Sequence, residues 1–159
     1  HQVMIMDLAH RKSVHSELTY SMDQWSGYLY SRKRLLDFID THCPGNVVNV
    51  TGDAHRHFAG DLLIEPGRGK PVSVEFLATS ISSGADGLGD DDHFSRIARS
   101  ENPHLKATTD KRGYVLCDVG PEVWHADLKT IDRVMVPGGK LSTYASFAVE
   151  RGNPGLQKA

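Results

Sequence analysis

Two cysteines, Cys43 and Cys117, among 159 residues are too few to staple a chain of this length, so the fold has to rest on a packed core. Whether the pair stay as buried thiols or form one bridge is open at this point. Long apolar runs are missing as well. Val3 to Met6 is typical of those present, far below the roughly 18 residues that a helical membrane span needs. Charge of one sign is not in excess either: 18 basic and 20 acidic residues leave a formal charge of −2. That excludes nucleic-acid binding carried by charge alone. No repeat, no low-complexity tract and no linker rich in Pro, Gly and Ser divides the chain. With 39% hydrophobic and 24% charged residues, the expectation is one folded α/β domain over residues 1–159.

Periodicity supplies the elements. Gln2 to Met6 reads as a strand, and the polar stretch from His10 to Asp23 as a loop. Leu35, Leu36 and Ile39 recur at helical spacing behind Tyr28 and Arg32, which predicts a helix from Trp25 to Cys43, ended by Pro44-Gly45. The β-branched run from Asn46 to Thr51 predicts a buried strand that stops at Gly52. A second strand is expected at Val72 to Ala78, then a Ser- and Gly-rich loop to Asp92. A short helix should fill His93 to Ser100, with Asp92 as its N-cap. Strands are expected at Gly113 to Val119, at Trp124 to Val136 with a break, and at Tyr144 to Glu150. The connections at Gly120-Pro121 and Pro137-Gly138-Gly139 are too short for crossovers, so these strands should be largely antiparallel.

The stretch that carries chemistry is Gly52-Asp53-Ala54-His55-Arg56-His57, at the exit of a strand, where ligands gather in open α/β sheets. If the chain stays extended past Gly52, alternation points Asp53 and His55 the same way, with His57 sharing that face and Arg56 opposite. A carboxylate and a neutral imidazole converging on one point suit a hard or borderline cation. The bland alternative is that Asp53 caps the segment Arg56 to Leu62 and that His55 is a hydrogen-bonded surface histidine. Two ligands also fall short of the set a catalytic metal needs, so further ligands would have to come from outside this stretch.

Four separated stretches resemble the alkaline phosphatase D family, the PhoD-like enzymes of the calcineurin-like metallophosphoesterase superfamily. They are Gln2-Val3-Met4 with Asp23-Gln24-Trp25-Ser26-Gly27-Tyr28 and Arg32; Gly52-Asp53-Ala54-His55; Val74-Glu75-Phe76 through Thr79-Ser80-Ile81-Ser82-Ser83; and Asn102-Pro103-His104-Leu105 with Arg112-Gly113-Tyr114-Val115. Ser26 departs from the pattern, which commonly has Asp there. The resemblance implies a β-sandwich flanked by helices with a di- or multinuclear metal centre, calcium and iron foremost and manganese or zinc as alternatives. It also implies hydrolysis of phosphate mono- or diesters and a periplasmic or secreted location. It makes Asp53 and His55 metal ligands. The family's other ligands precede its Gln-Val-Met strand, so residues 1–159 are expected to be the C-terminal part of a domain whose N-terminal half is the missing partner. On that expectation the isolated chain would bind metal weakly and expose an unpaired sheet edge. The rival is a noncatalytic, partner-binding fragment. Cys43 matches no metal motif of the family.

Other candidates carry less. Asn102, His104 and Arg112 could line a phosphate pocket, with His104 as a catalytic proton donor, or could form an ordinary turn before a strand. Trp25 and Tyr28 could wall the substrate or pack in the core. The Ser-rich stretch from Thr79 to Ser83 could donate to an anion or satisfy its own backbone. The acidic run from Asp86 to Asp92 lacks the EF-hand spacing, which favours a solvated loop.

Overall fold

The computed structural model describes residues 1–13 and 15–159. The expected first helix is realised as a 3₁₀ turn, Trp25–Gly27, followed by α1, Leu29–His42. Its buried positions, Arg32, Leu36 and Ile39, fall at the helical spacings that lay one stripe against a core. Cys43 closes it, its N–H donating to the Ile39 carbonyl, and Gly45 at φ 65° turns the chain away. The second helix, α2, is His93–Glu101, and Asp92 caps it as expected, accepting from the N–H groups of Phe94 and Ser95.

Eight strands are found among the described residues: β1 (Val48–Thr51), β2 (His57–Glu65), β3 (Arg68–Leu77), β4 (Leu105–Thr109), β5 (Arg112–Val119), β6 (Val123–Ile131), β7 (Leu141–Glu150) and β8 (Asn153–Lys158). They form two four-stranded sheets, ordered β1-β3-β2-β4 and β5-β6-β7-β8. The second sheet is antiparallel throughout, as the short connections required. The first is mixed: β1 and β3 run parallel, Thr51 opposite Leu77, and the other pairs are antiparallel.

One core lies between the sheets. Val74, Phe76, Ala59 and Ala107 meet Ala126, Leu128, Phe147 and Val149 there, with the Phe76 and Phe147 rings 6.3 Å apart. The other core covers the opposite face of the first sheet and joins Leu36 and Ile39 of α1 and Ala98 of α2 to Phe58, Leu62 and Leu77. The result is the helix-flanked sandwich the resemblance implied.

Three sequence expectations are corrected. Gln2 to Met6 is not a strand but an irregular segment. Its first residues still lie along β1: the His1 amino group donates to the Val50 carbonyl at 2.9 Å, and the Gly52 N–H donates to the Gln2 carbonyl at 3.2 Å. From Met4 to Ala9 it is buried, and side chains replace the missing ladder. The Glu75 carboxylate accepts from the Ile5 and Met6 N–H groups at 2.9 and 2.7 Å and from Thr51 Oγ1 at 2.9 Å. Arg32, 2% exposed, donates to the carbonyls of Ile5, Leu63 and Ile64. Gly60 is required here, since a Cβ would stand 2.8 Å from the His104 carbonyl oxygen as well as from the Met6 thioether. Second, the segment from residue 57 is strand β2, and its hairpin with β3 begins at Arg68, ahead of the expected start. The buried run His57 to Leu63 has no alternation because both of its faces are covered. Third, the long C-terminal strand ends at Ile131; β4 escaped the pattern because four of its five residues are buried without alternation, and β8 because it opens on Asn153-Pro154-Gly155, which reads as a turn.

Candidate metal centre

Parallel pairing of β1 and β3 brings two loops to one edge, residues 52–56 after β1 and residues 78–92 after β3. The Ala78 N–H donates to the Thr51 carbonyl at 2.9 Å, so the loops begin side by side. The expected extended backbone beyond Gly52 is not what forms. Asp53 has φ 73° and His55 φ 50°, and the Ala54 N–H closes back on the Gly52 carbonyl at 2.9 Å. That is a γ-turn of the rare, strained hand, centred on Asp53. Period-two alternation therefore cannot bring the two side chains together. Left-handed φ is a conformation in which Asp and His are enriched among non-glycine residues, and it is stored where a surrounding structure insists on it. Gly52, which the sequence pointed to as the pivot, does not have a positive φ; the residues on either side of Ala54 do.

Asp53 and His55 are both exposed. Asp53 makes no hydrogen bond or ion pair with another described residue, and the contact of the His55 ring is with Ser83, whose Oγ lies 3.5 Å from Nδ1. The carboxylate oxygens and the imidazole Nε2 are thus not spent among the described residues, and as a donor set they suit a hard or borderline cation. Among the described residues no three His, Cys, Asp or Glu side chains cluster in a way that could hold a metal ion.

Their neighbours do the opposite work. Arg56 reaches the N-terminus of α2, donating to Asp92 at 3.0 and 3.2 Å and to Ser95 Oγ at 2.7 Å; its guanidinium lies 4.8 Å from the Phe94 ring centroid. Burial alone would raise the Asp92 carboxyl, but hydrogen bonds from Arg56 and Ser95 and the Arg56 charge outweigh it and hold it below the usual range. His57 is fully buried, which overturns the expectation that it shares a face with Asp53 and His55. Its Nε2 donates to the Lys129 carbonyl at 3.1 Å and its Nδ1 accepts the Thr79 N–H at 3.4 Å. The C-terminal end of the loop is thus pinned twice, by Arg56 to α2 and by His57 to the second sheet, while its start is held by the Gly52 N–H on the Gln2 carbonyl. A hollow of about 400 Å³ beneath the loop is walled by Met4, Leu8, Ala54, Arg56, Phe58 and Phe94, among others, and neither Asp53 nor His55 lines it.

The remaining candidates separate. Asn102 and His104 are buried together against residues 7–9. Asn102 accepts from the Ala9 N–H at 2.9 Å and donates to the Ala9 and Ala98 carbonyls, both at 2.7 Å. His104 Nε2 donates to the Asp7 carbonyl at 2.6 Å, leaving Nδ1 and the Asp7 Oδ1 buried without a hydrogen bond. Burial pushes His104 down and Asp7 up from their ordinary ranges, each partly restrained by the other's charge. Arg112, 3% exposed, is occupied by the Ser83 and Asp110 carbonyls and by Ser80 Oγ at 3.0 Å. These three side chains hold backbone in this chain. Trp25 packs beside His1, its Nε1 donating to the His1 Nε2 at 3.2 Å. With the exposed Tyr28 it lines a hollow of about 240 Å³ that includes Asp23. Asp86 accepts from the Val134 and Met135 N–H groups, so the acidic loop is tied to the chain after β6. Cys43 and Cys117 are free thiols. The sequence marks Ser83 only as part of a Ser-rich stretch; its place beside His55 follows from the parallel pairing of β3 with β1, and no periodicity announces that.

A family model described as PhoD-like phosphatase matches residues 1–128. Alkaline phosphatase D of Bacillus subtilis (strain 168) is 40% identical over 141 residues, covering 87% of this chain and 24% of the relative. A solved structure described as "Structure of PhoD" superposes with a TM-score of 0.85 at 36% identity, over 99% of this chain and 30% of that one. The chain therefore spans about a quarter of the length of the curated relative it matches.

Proposed function

Because the chain belongs to the PhoD-like phosphatase family, we propose that it forms part of a metal-dependent hydrolase of phosphate mono- or diesters, with Asp53 and His55 as metal ligands. The observation that carries this is their conformation. Two exposed side chains, with donor atoms unspent among the described residues, are held at positive φ on a loop fixed at its start by the Gly52 N–H on the Gln2 carbonyl and at its end by Arg56 to α2 and His57 to the second sheet. Such strain, of order 1–3 kcal/mol per residue, serves a site better than a surface loop.

Bound metal would supply an acidified water and positive charge for the phosphoryl oxygens. Asp53 would contribute carboxylate charge and His55 a neutral nitrogen lone pair. Calcium and iron are the likeness-based choice of metal, with manganese or zinc as the alternatives. The other ligands belong to the rest of the domain, the N-terminal half that completes the site as this chain's partner. A periplasmic or secreted location goes with the same reading; among the described residues no helix is long and apolar enough to cross a membrane.

The test is hydrolysis of 4-nitrophenyl phosphate and bis(4-nitrophenyl) phosphate by the whole protein, with metal content measured beside it. Chelation should abolish turnover, and Asp53→Asn and His55→Ala should each lower both turnover and bound metal. Full turnover in either variant would remove that residue from the site.

A further inference from the structure

A neutral His55 offers a metal one ring nitrogen, and the site of its single proton decides which. Ser83 Oγ stands 3.5 Å from Nδ1, while Nε2 has no partner among the described residues. A neutral imidazole carries its proton on one nitrogen. If the hydroxyl donated to Nδ1, Nε2 would bear the proton and have no lone pair to offer. If the hydroxyl accepts from Nδ1–H, the lone pair on Nε2 is free. A cation at Nε2 therefore needs the proton on Nδ1, and the Ser83 hydroxyl, which can accept as well as donate, stands where it can receive it.

The backbone that carries that hydroxyl is held in place. The Ser83 carbonyl accepts from Arg112 and from Ser80 Oγ, the latter at 2.6 Å, and Arg112 Nη1 also reaches Ser80 Oγ. Gly84, at φ 89°, lets the buried guanidinium lie against the turn; a Cβ there would stand 2.7 Å from Arg112 Nη1. The other end of the stretch is pinned where Thr79 donates to His57. The Ser-rich turn and the metal loop are thus two sides of one clamp.

We propose that Ser83 is a positioning residue for His55, accepting from Nδ1–H so that Nε2 presents its lone pair to the metal, and that Arg112 fixes the turn from which Ser83 does so. The inference rests on the metal-ligand reading above, and its test separates the two. In the whole protein, stripped of metal and labelled with ¹⁵N-histidine, long-range ¹H–¹⁵N spectra at pH 8.5 report the His55 tautomer without any turnover. Wild type should populate Nδ1–H well beyond the share found in free histidine, which favours Nε2–H.

Ser83→Ala should return His55 to the free-histidine ratio and weaken binding of Mn²⁺, used alone as the probe, by about 10- to 100-fold. Ser83→Thr, which keeps the hydroxyl, should restore both. Ser83 is exposed, so the variants should fold. A Ser83→Ala protein with wild-type tautomer and wild-type Mn²⁺ affinity would overturn the inference. His55→Ala is the control: if it weakens Mn²⁺ binding and Ser83→Ala does not, the positioning role fails alone. If neither does, the metal reading falls with it.

Discussion

Two histidine-bearing motifs stand out in this sequence, and the fold sends them to opposite environments. Asp53 and His55 lie exposed on a strained turn at the ends of parallel strands, with donor atoms unspent. Asn102 and His104 are buried, with their hydrogen bonds committed to the backbone of residues 7–9. A histidine with a polar neighbour two residues before it is thus left open to solvent in one place and built into the core in the other. What separates them is whether backbone nearby has satisfied its own polar groups. The strand end has; the irregular segment through the core has not, and it recruits side chains to do so.

The comparison breaks most sharply at Asp53. Asp53→Gly should lower turnover of the whole protein by a hundredfold or more, roughly 2.7 kcal/mol of transition-state stabilisation. It should raise thermal stability by up to about 1 kcal/mol, since glycine adopts φ 73° freely. Steady-state kinetics beside a melting curve decides it, and loss of both quantities together would place Asp53 with the architecture. Asn102→Ala should invert the pattern. Losing its partner bonds strands the buried Ala9 N–H and carbonyl and costs about 2–4 kcal/mol, so denaturant unfolding should show the damage while turnover per folded molecule changes far less.

pH sharpens the buried half. His104 is held neutral by burial, its pKa below the ordinary 6.5. The unfolded chain therefore takes up a proton that the folded one refuses. Its contribution to stability is complete above about 6.5 and is lost as pH falls from there through the lower folded value, by at most about 1.4 kcal/mol per pH unit. His104→Gln should flatten that part of the stability profile; an unchanged slope would show that another group sets it. The smallest effect on the metal site is expected at the anchor of the exposed loop. Asp92→Asn keeps the helix cap but removes the charge facing Arg56 from a largely buried pair, and should cost about 1.5–3 kcal/mol of stability while weakening metal binding only a few-fold. Calorimetry with Mn²⁺ reads the second quantity.

Much of the fold was legible. α1 showed through the spacing of Leu36 and Ile39, α2 through its Asp92 cap, β1 through its valines, and the antiparallel second sheet through turns too short to cross over. β2 was not legible, because a strand covered on both faces has no alternation to read. Gln2 to Met6 misled because its apolar residues are buried, as in a strand, while Glu75 and Arg32 take the place of strand partners. Arg112 and Asn102 drew notice as polar residues beside turns; what could not be read was their engagement with the distant carbonyls of Ser83 and Ala9.

The sequence by itself determined the local terms: which residues favour helix or strand, where helices begin and stop, which residues could bind a cation, and the motifs that match the family. The tertiary structure alone decided the parallel pairing of β1 with β3, the left-handed turn that presents Asp53 and His55, and the contact between Ser83 and His55. Those depend on which distant segments share an edge, and that is settled by burying apolar faces and satisfying backbone polar groups over the whole chain. Local propensity and periodicity carry no record of such a sum.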